Sequence, residues 1–216
     1  MLLVEILAVV LVADLISGVV HWWEDRYARL NSGPLKQVAI DNLRHHARPR
    51  EFLAKGYWAS SWDLWLLGAV AVGASALAGA FSWHVVLFAA LVANANQVHK
   101  WAHRTREENG VLVGSLQRLH ILQTTRHHSR HHQGGRDSHY CVLTNFLNPL
   151  LEEVQFWRRL ERAVERLTGA TCRDEAAELA RLGLLPARTA ARTPSFAIRL
   201  LVVMPRMAWP RTAAAH

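Results

Sequence analysis

The sequence is poor in cysteine and lacks the motifs of several common protein classes. Only Cys141 and Cys172 are present among 216 residues, and both follow the apolar stretches described below, on the side that we predict to be cytoplasmic, so we expect no disulfide. Neither an internal repeat nor a glycine-rich phosphate loop occurs. A net charge of +8 is typical of nucleic-acid binding, but no nucleic-acid-binding motif accompanies it, which argues against that partner.

Charge is nearly absent from three stretches of the chain: residues 2–23, 62–81 and 83–98. Only Glu5, Asp14 and Asp63 interrupt the first two, and the third contains no Asp, Glu, Lys or Arg. A bilayer core of about 30 Å requires about 20 helical residues, so the first two stretches can span it, and the third can if it continues to about Trp101. The sequence predicts an all-α integral membrane protein with about three to four transmembrane helices.

The first stretch, LLVEILAVVLVADLISGVV, has an alternative interpretation as a secretory signal peptide. It lacks a basic n-region and a small-residue cleavage site, and it runs directly into HWWED. We therefore favour a transmembrane helix that is retained.

Basic residues occur mainly in the segment between the first two apolar stretches and in the segment after the third. The short connection GAFSW between the second and third stretches carries no charge. By the positive-inside rule, both basic segments are expected in the cytoplasm, and the connection and the N-terminus on the far side. The same charge favours contact with anionic lipid.

Histidine is unusually abundant, with thirteen residues, four of them within RHHSRHHQGG. Only His84 maps to the far side of the membrane, and His216 is the last residue. The others map to the cytoplasmic margin: His21, His45, His46, His99, His103, His120, His127, His128, His131, His132 and His139. One region of the fold is thus supplied with imidazole from four segments.

The spacing of these side chains favours metal binding. His21 and Asp25 are four residues apart, which places both on one helix face. His45 and His46 are adjacent, so on a helix they diverge by about 100°, and two neighbouring metal ions can use one each.

Two further segments repeat the pattern. His99 and His103 in VHKWAHR have the same i, i+4 relation, as do His127 and His131. An HxxHH motif then consists of His128, His131 and His132. Imidazole suits Zn, Cu, Fe and Ni. One zinc ion takes at most four protein ligands, so eight or more histidines fit two metal ions better. Ligand number alone does not separate iron from zinc, but oxygen-dependent C–H chemistry requires a redox-active metal.

Asp14 lies within a predicted span, where an acid is costly and tends to face a partner inside the protein. It shares a helical stripe with His21 and Asp25. We favour a role in orienting a metal-binding imidazole of a neighbouring helix, and the alternative is a simple interhelical hydrogen bond. Ser17 and Gly18 on the same stripe favour close helix packing.

Five segments together resemble successive blocks of the plasmanylethanolamine desaturase family, whose superfamily includes plant plastid phosphatidylglycerol trans-desaturases: DLISGVVHWWED, NLRHHARPREF, NQVHKWAHR, LQRLHILQTTRHHSRHH and HYCVLTNFLNPLLEEVQFWRRLERAVERLTG. The resemblance covers residues 13–169. It implies a membrane-embedded di-iron site that uses O2 and two electrons to desaturate a lipid chain. In the plasmanyl branch, the product is the vinyl ether of a plasmalogen.

The resemblance also implies site residues and partners. By position, the metal ligands are His21, Asp25, His45, His46, His99, His103, His127, His128, His131 and His132. Asp25, His120 and His127 match family positions and are expected to contact the cofactor, and the helical stripe described above adds Asp14 to this set. The implied cofactors are two iron ions with O2 as co-substrate. The implied partners are a phospholipid and an electron donor such as a cytochrome b5-like protein or a ferredoxin.

Two features bear on substrate and organisation. This chain has GRDSHYC where the family usually reads PHETYFC, so the head group of the lipid substrate is left undecided.

Residues 1–169 are predicted to form the membrane-embedded desaturase domain, and 170–216 a short cytoplasmic or interfacial tail. An apolar stripe over residues 150–167 predicts an amphipathic helix that lies on the membrane surface, which we favour, or packs over the site.

Other function classes remain as alternatives. An acyl-lipid desaturase or a hydroxylase uses the same kind of site. A metal transporter is less favoured, because it threads polar ligands through several spans and only Asp14 lies so deep here.

Overall fold

The structure, a computed structural model, describes residues 1–133 and 136–185. These residues form ten α-helices and no strand: α1 (Leu2–Arg26), α2 (Lys36–Ala47), α3 (Tyr57–Leu77), α4 (Trp83–Ala93), α5 (Ala95–Ala102), α6 (Arg106–Arg118), α7 (Thr125–His128), α8 (Leu147–Glu153), α9 (Phe156–Thr168) and α10 (Glu175–Arg181). Two 3-10 helices, Gly33–Leu35 and Pro49–Ala54, flank α2. The all-helical part of the fold prediction is thereby confirmed. Residues 186–216 of the predicted tail lie outside the described part.

Two helices are long and apolar enough to cross a membrane. Helix α1 has 25 residues and a mean hydropathy of 2.5 in its most apolar window, and α3 has 21 residues and 1.2. Their outer surfaces carry exposed apolar side chains such as Leu3, Leu67 and Val70. Side chains of this kind suit lipid, because apolar surface is favourable there and costly in water.

The third apolar stretch is interrupted. Helix α4 ends at Ala93, and α5 begins at Ala95 after Asn94, whose backbone is not helical (φ −96°, ψ 3°). Tyr57 donates a hydrogen bond to Asn94 Oδ1 (2.9 Å), and Asn94 Nδ2 donates to the Ala90 carbonyl (2.9 Å). These bonds hold the break in place, so the single third helix expected from the sequence consists of two pieces.

Helices α1, α3 and α4 pack together, with α4 against both of the others. At one end of this bundle His84 Nε2 lies 3.2 Å from Glu5 Oε2. Towards the other end, most buried residues of α1 are polar or small, and Trp22 is the exception: Ala13, Asp14, Ser17, Gly18, His21, Trp22 and Asp25. This face is what positions the site.

The close packing of α1 depends on Gly18. A Cβ atom at that position would lie 2.6 Å from Cys141 Sγ and 3.1 Å from the Cys141 backbone nitrogen. The buried segment after the last histidines therefore runs directly against α1. This agrees with the close packing predicted for Gly18.

The amphipathic helix predicted over residues 150–167 consists of two helices, α8 and α9, because Gln155 between them has a left-handed backbone (φ 51°). Trp157 is buried, and its ring centroid lies 4.9 Å from that of Tyr140 and 6.2 Å from that of Trp22. Leu160 and Val164 pack against the same cluster. The middle of the stripe therefore packs on the protein, and the preference for a helix on the membrane surface is wrong for these three residues, because Trp22 of α1 and Tyr140 offer closer apolar partners.

Candidate metal centre

Four acid and imidazole side chains converge on one point at the end of α1. Asp25 Oδ2 lies 3.2 Å from His21 Nε2, 3.2 Å from His131 Nε2 and 3.4 Å from His46 Nε2. All four residues are buried. We refer to His21, Asp25, His46 and His131 as the Asp25 group.

Five imidazoles converge beside it. His128 Nε2 lies 2.9 Å from His99 Nε2, 2.9 Å from His103 Nε2 and 3.1 Å from His132 Nε2. His45 Nε2 completes the set at 3.1 Å from His103 Nε2. We refer to His45, His99, His103, His128 and His132 as the five-histidine group.

The two groups are neighbours. Ring centroids are 5.3 Å apart for His21 and His99, and 5.3 Å apart for His131 and His132. Both groups take side chains from α2 and from the segment that begins with α7. These two segments therefore join the groups into one site. In this arrangement, eight histidines and one aspartate predicted from sequence lie together.

Outer contacts orient the rings of the Asp25 group. His21 Nδ1 lies 3.0 Å from the Tyr140 carbonyl, and His131 Nδ1 lies 2.8 Å from the Ser138 carbonyl. Since a carbonyl only accepts, each Nδ1 must carry the proton. This leaves the Nε2 lone pair free to bind a cation.

The third imidazole of this group, His46, has a carboxylate partner that sequence reasoning missed. Its Nδ1 lies 3.2 Å from Glu175 Oε1, and Arg136 forms an ion pair with the same carboxylate. Arg173 is also buried, with its guanidinium 3.9 Å from Asp25. Arg173 and Glu175 lie far along the chain from the last paired histidines and share no spacing with them, so only the sequence RDE at residues 173–175 hints at their charged contacts.

Charge in this region favours a proton on His46 in the metal-free protein. Burial lowers the pKa of His46, but Asp25 and Glu175 outweigh that effect and raise it to about 9. Burial raises the pKa of Glu175, but His46 and Arg136 lower it to about 2. A cation that binds His46 must therefore displace a proton.

In the five-histidine group, burial favours neutral imidazoles instead. Burial lowers the pKa of His45 and of His128 well below the ordinary value, and neighbouring imidazoles add to the effect. Neutral rings are the form that binds metals. The buried Nδ1 atoms of His45, His128 and His132 have no hydrogen-bond partner within the described residues, so their tautomers are not fixed by outer contacts.

The geometry fits bound metal ions. Neutral imidazoles whose Nε2 atoms meet at 2.9–3.2 Å cannot all satisfy one another by hydrogen bonds. Ligand nitrogens at about 2.1 Å from one ion, at right angles to each other, are about 3.0 Å apart. The five-histidine group exceeds the ligand number typical of zinc, and the Asp25 group combines imidazole with a carboxylate, as iron sites do. Both groups can hold a metal ion.

Two predicted histidines lie outside both groups. His127 Nε2 lies 3.1 Å from Asn148 Nδ2, and its ring faces His139 with centroids 5.4 Å apart. His120 is exposed, and its Nδ1 lies 2.7 Å from Asn145 Nδ2. The structure therefore does not bring His127 or His120 into either metal-ligating group, and one ring nitrogen of each faces an amide side chain.

Asp14 also differs from its prediction. Its carboxylate accepts hydrogen bonds from the Leu143 backbone N–H (2.9 Å) and from the Thr144 hydroxyl (2.5 Å). No imidazole contacts it within the described residues. No contact in the described part of the chain supports the favoured role in orienting a metal-binding ring, because the carboxylate faces Leu143 and Thr144. Asp14 instead fixes the segment whose carbonyls hold His21 and His131.

The known proteins that this chain resembles are named as desaturases. Residues 10–175 match the lipid desaturase domain. Plasmanylethanolamine desaturase of Myxococcus xanthus is 30% identical over 191 residues, which are 84% of this chain and 67% of that protein. Mouse (Mus musculus) plasmanylethanolamine desaturase 1 is 28% identical over 182 residues, 78% of this chain and 67% of that protein.

Plant relatives are similar at the same level. Fatty acid desaturase 4-like 2, chloroplastic, of Arabidopsis thaliana is 31% identical over 156 residues, 70% of this chain and 55% of that protein. No solved structure matches the chain. The family resemblance noted from the sequence is thereby confirmed, and the chain belongs to the lipid desaturase domain family, as an oxidoreductase of the desaturase type.

Proposed function

We propose that the chain is an O2-dependent membrane lipid desaturase that holds two iron ions and converts the alkyl ether chain of a phospholipid into the vinyl ether of a plasmalogen. The observation that carries the proposal is the adjacency of two metal-ligating groups, one of five histidines and one of three histidines and an aspartate. The plasmanylethanolamine desaturases among the relatives support the ether substrate.

The net reaction removes two hydrogens from a –CH2–CH2– unit beside the ether oxygen. One O2 accepts these two hydrogens, two electrons and two protons, and two water molecules form. The electrons come from a donor protein such as a cytochrome b5-like protein or a ferredoxin. When bound, two iron ions supply the redox chemistry that O2 activation requires and that zinc lacks.

The chain's own contribution is to hold the ligands and to exclude water. In the Asp25 group, the Tyr140 and Ser138 carbonyls and Glu175 keep the Nε2 atoms directed at one point. Burial of His128 and His131 at 0% exposure keeps solvent from the reacting groups.

The position of the site suits a carbon close to the glycerol backbone. We place the centre at the cytoplasmic margin of the bilayer, with α1, α3 and the broken α4–α5 pair as three spans, and Glu5 and His84 at the opposite margin. A centre at that depth reaches the first carbons of an ether chain without lifting the whole chain out of the bilayer.

The test is lipid mass spectrometry of cells that are supplied with an alkyl glycerol and express the chain, with and without O2. We expect acid-labile vinyl ethers with the original chain and with His84→Ala, whose ring is at the far end of the bundle, and none with His131→Ala. Unchanged ether lipids beside a new acyl double bond or hydroxyl group would overturn the ether substrate in favour of the acyl alternative, which the name of the Arabidopsis relative supports.

The metal is tested separately on protein purified from iron-replete cells. We expect two equivalents of iron. Two equivalents of zinc with no iron would overturn the oxidative mechanism as a whole.

A further inference from the structure

A fourth uncharged stretch, YCVLTNFLNPLL at residues 140–151, follows the histidine-rich segment. It contains no Asp, Glu, Lys or Arg. This length is too short for a transmembrane helix, and apolar stretches of about 10–14 residues occur in buried core helices and in re-entrant or interfacial membrane segments. The position of the stretch relative to α1 decides between these possibilities.

Hydrogen bonds to Asp14 fix the depth of the stretch along α1. The Asp14 carboxylate accepts the Leu143 backbone N–H (2.9 Å) and the Thr144 hydroxyl (2.5 Å). Asp14 follows Glu5 by nine residues and precedes Asp25 by eleven, which corresponds to about 14 Å and about 17 Å of α-helix. Glu5 and Asp25 lie at opposite margins in the placement proposed above. Leu143 and Thr144 therefore lie near the middle of the bilayer.

The backbone of this stretch is not helical before α8, and polar side chains satisfy it. Asn148 Oδ1 accepts the Cys141 N–H (3.0 Å), and Asn148 Nδ2 donates to the Cys141 carbonyl (2.8 Å). The buried Gln123 donates its side-chain amide to the same carbonyl (2.6 Å) and its backbone N–H to the Leu143 carbonyl (2.9 Å). Irregular backbone at membrane depth is tolerated only where the protein supplies such partners.

The outward face of the stretch is apolar. Phe146 and Leu150 are 49% and 59% exposed, and Pro149 is the one other residue of the stretch that is exposed. The first charged residue after it, Glu152, turns back to accept the His139 backbone N–H (3.0 Å). An apolar face of this kind is costly in water and favourable among lipid chains.

The chain before α7 extends this face. Leu119 and Ile121 are 68% and 50% exposed. The exposed His120 between them is hydrogen bonded to Asn145 of the stretch (2.7 Å), so the two polar side chains satisfy each other. Arg118 ends α6, and an arginine side chain at a helix end is long enough to carry its charge to the head groups.

We propose that residues 140–151 form a re-entrant membrane segment whose outward face contacts the lipid chains of the leaflet on the side of the metal centre. The occupant is lipid because α8 packs on α1, and Val12 and Ile16 of α1, close to Asp14 in depth, are exposed as well. The two surfaces thus continue one another at a depth where water is absent. The depth of the segment rests on the span placement proposed above and is independent of the reaction.

Depth is measured with a bimane fluorophore on single cysteines of the full-length chain in liposomes. Cys172→Ser removes the partly exposed native thiol, and the buried Cys141 remains. The Cys172→Ser chain without a further cysteine gives the background. Phospholipids brominated at mid-chain quench the fluorophore from the bilayer core, and iodide quenches it from water.

Phe146→Cys and Leu150→Cys should be quenched several-fold more by brominated lipid, and several-fold less by iodide, than Arg159→Cys on the exposed side of α9. Leu67→Cys, on the outer surface of α3, gives the reference for lipid contact. Gel filtration and helical circular dichroism identify any variant that does not fold. If Phe146→Cys does not fold, Leu150→Cys, at the more exposed position, decides alone.

Iodide quenching of Phe146→Cys and Leu150→Cys as strong as that of Arg159→Cys would overturn the proposal and place the segment in water. Resistance of both sites to both quenchers would overturn it in favour of a second copy of the chain on this face. Strong iodide quenching of Leu67→Cys would overturn the span placement, and the depth of the segment with it. The expected quenching without vinyl ether formation refutes the proposed reaction alone.

Discussion

His45 and His46 are neighbours in the last turn of α2, yet their rings belong to different metal-ligating groups. Their ring centroids are 5.9 Å apart, with an angle of 47° between the planes. One helical turn thus joins the two groups, and a shift of α2 would displace one ligand from each. This coupling makes the pair a direct test of whether two separate ions are bound.

We expect His45→Ala and His46→Ala each to weaken the binding of a different metal ion. Loss of one ligand should lower the affinity of the protein for the ion that this ligand binds by about tenfold or more, because even the loss of an outer contact typically lowers metal affinity about 10–100-fold. The other ion should stay bound. Metal titration followed by mass spectrometric metal analysis measures both. His84→Ala, at the opposite end of the bundle, should retain both ions. Identical loss in the two variants would indicate one shared ion instead.

Glu175 should affect the metal affinity of the Asp25 group but not that of the five-histidine group. Glu175→Ala removes the carboxylate beside His46 Nδ1 (3.2 Å), and this should lower the metal affinity of the Asp25 group by about 10–100-fold. The five-histidine group has no such partner on the Nδ1 atoms of His45, His128 and His132 within the described residues, so its affinity should not change. The comparison variant is Glu153→Gln, on the exposed face of α8. Equal weakening of both ions in Glu175→Ala would show that the residue acts on the fold as a whole.

Local geometry explains why much of the site was predictable. The i, i+4 relation of His21 and Asp25 and the divergence of His45 and His46 are properties of any α-helix, so the sequence alone places these side chains correctly relative to one another. The i, i+4 relation does not apply to His127 and His131, because α7 ends at His128. Beyond that point a helical face no longer relates His127 to His131.

Contacts between distant segments were not predictable in the same way. A buried acid in a transmembrane helix needs a partner, but nothing in the sequence around Asp14 indicates whether that partner is an imidazole or the backbone of residue 143. Glu175 follows α9 in the chain, so its approach to α2 depends on how α9 packs, whereas Arg136 reaches the same carboxylate from the segment before α8. The break at Asn94 likewise depends on Tyr57 from another helix.

Asp14 should contribute to stability rather than to metal affinity. Asp14→Ala leaves the Leu143 N–H and the Thr144 hydroxyl without their acceptor, which should lower the free energy of unfolding by about 1–3 kcal/mol for each group. Asp14→Asn retains one acceptor oxygen and should cost less. Thermal unfolding in detergent and metal content per folded molecule are measured together. Loss of metal at unchanged stability would restore the role in orienting an imidazole.

Gly18 should be the least replaceable glycine of α1 and α3. A Cβ atom there meets Cys141 Sγ at 2.6 Å and the Cys141 backbone nitrogen at 3.1 Å, so Gly18→Ala should lower the free energy of unfolding by about 1–3 kcal/mol through overpacking. Gly73→Ala in α3 is the matched control, because a Cβ atom there has nothing within 4 Å. That change should be neutral or stabilise the helix by up to about 1 kcal/mol. The double change Gly18→Ala, Cys141→Ala should recover part of the loss, since it removes the sulfur but leaves the backbone contact. Equal stability of Gly18→Ala and Gly73→Ala in thermal unfolding would contradict the close approach of α1 to residue 141.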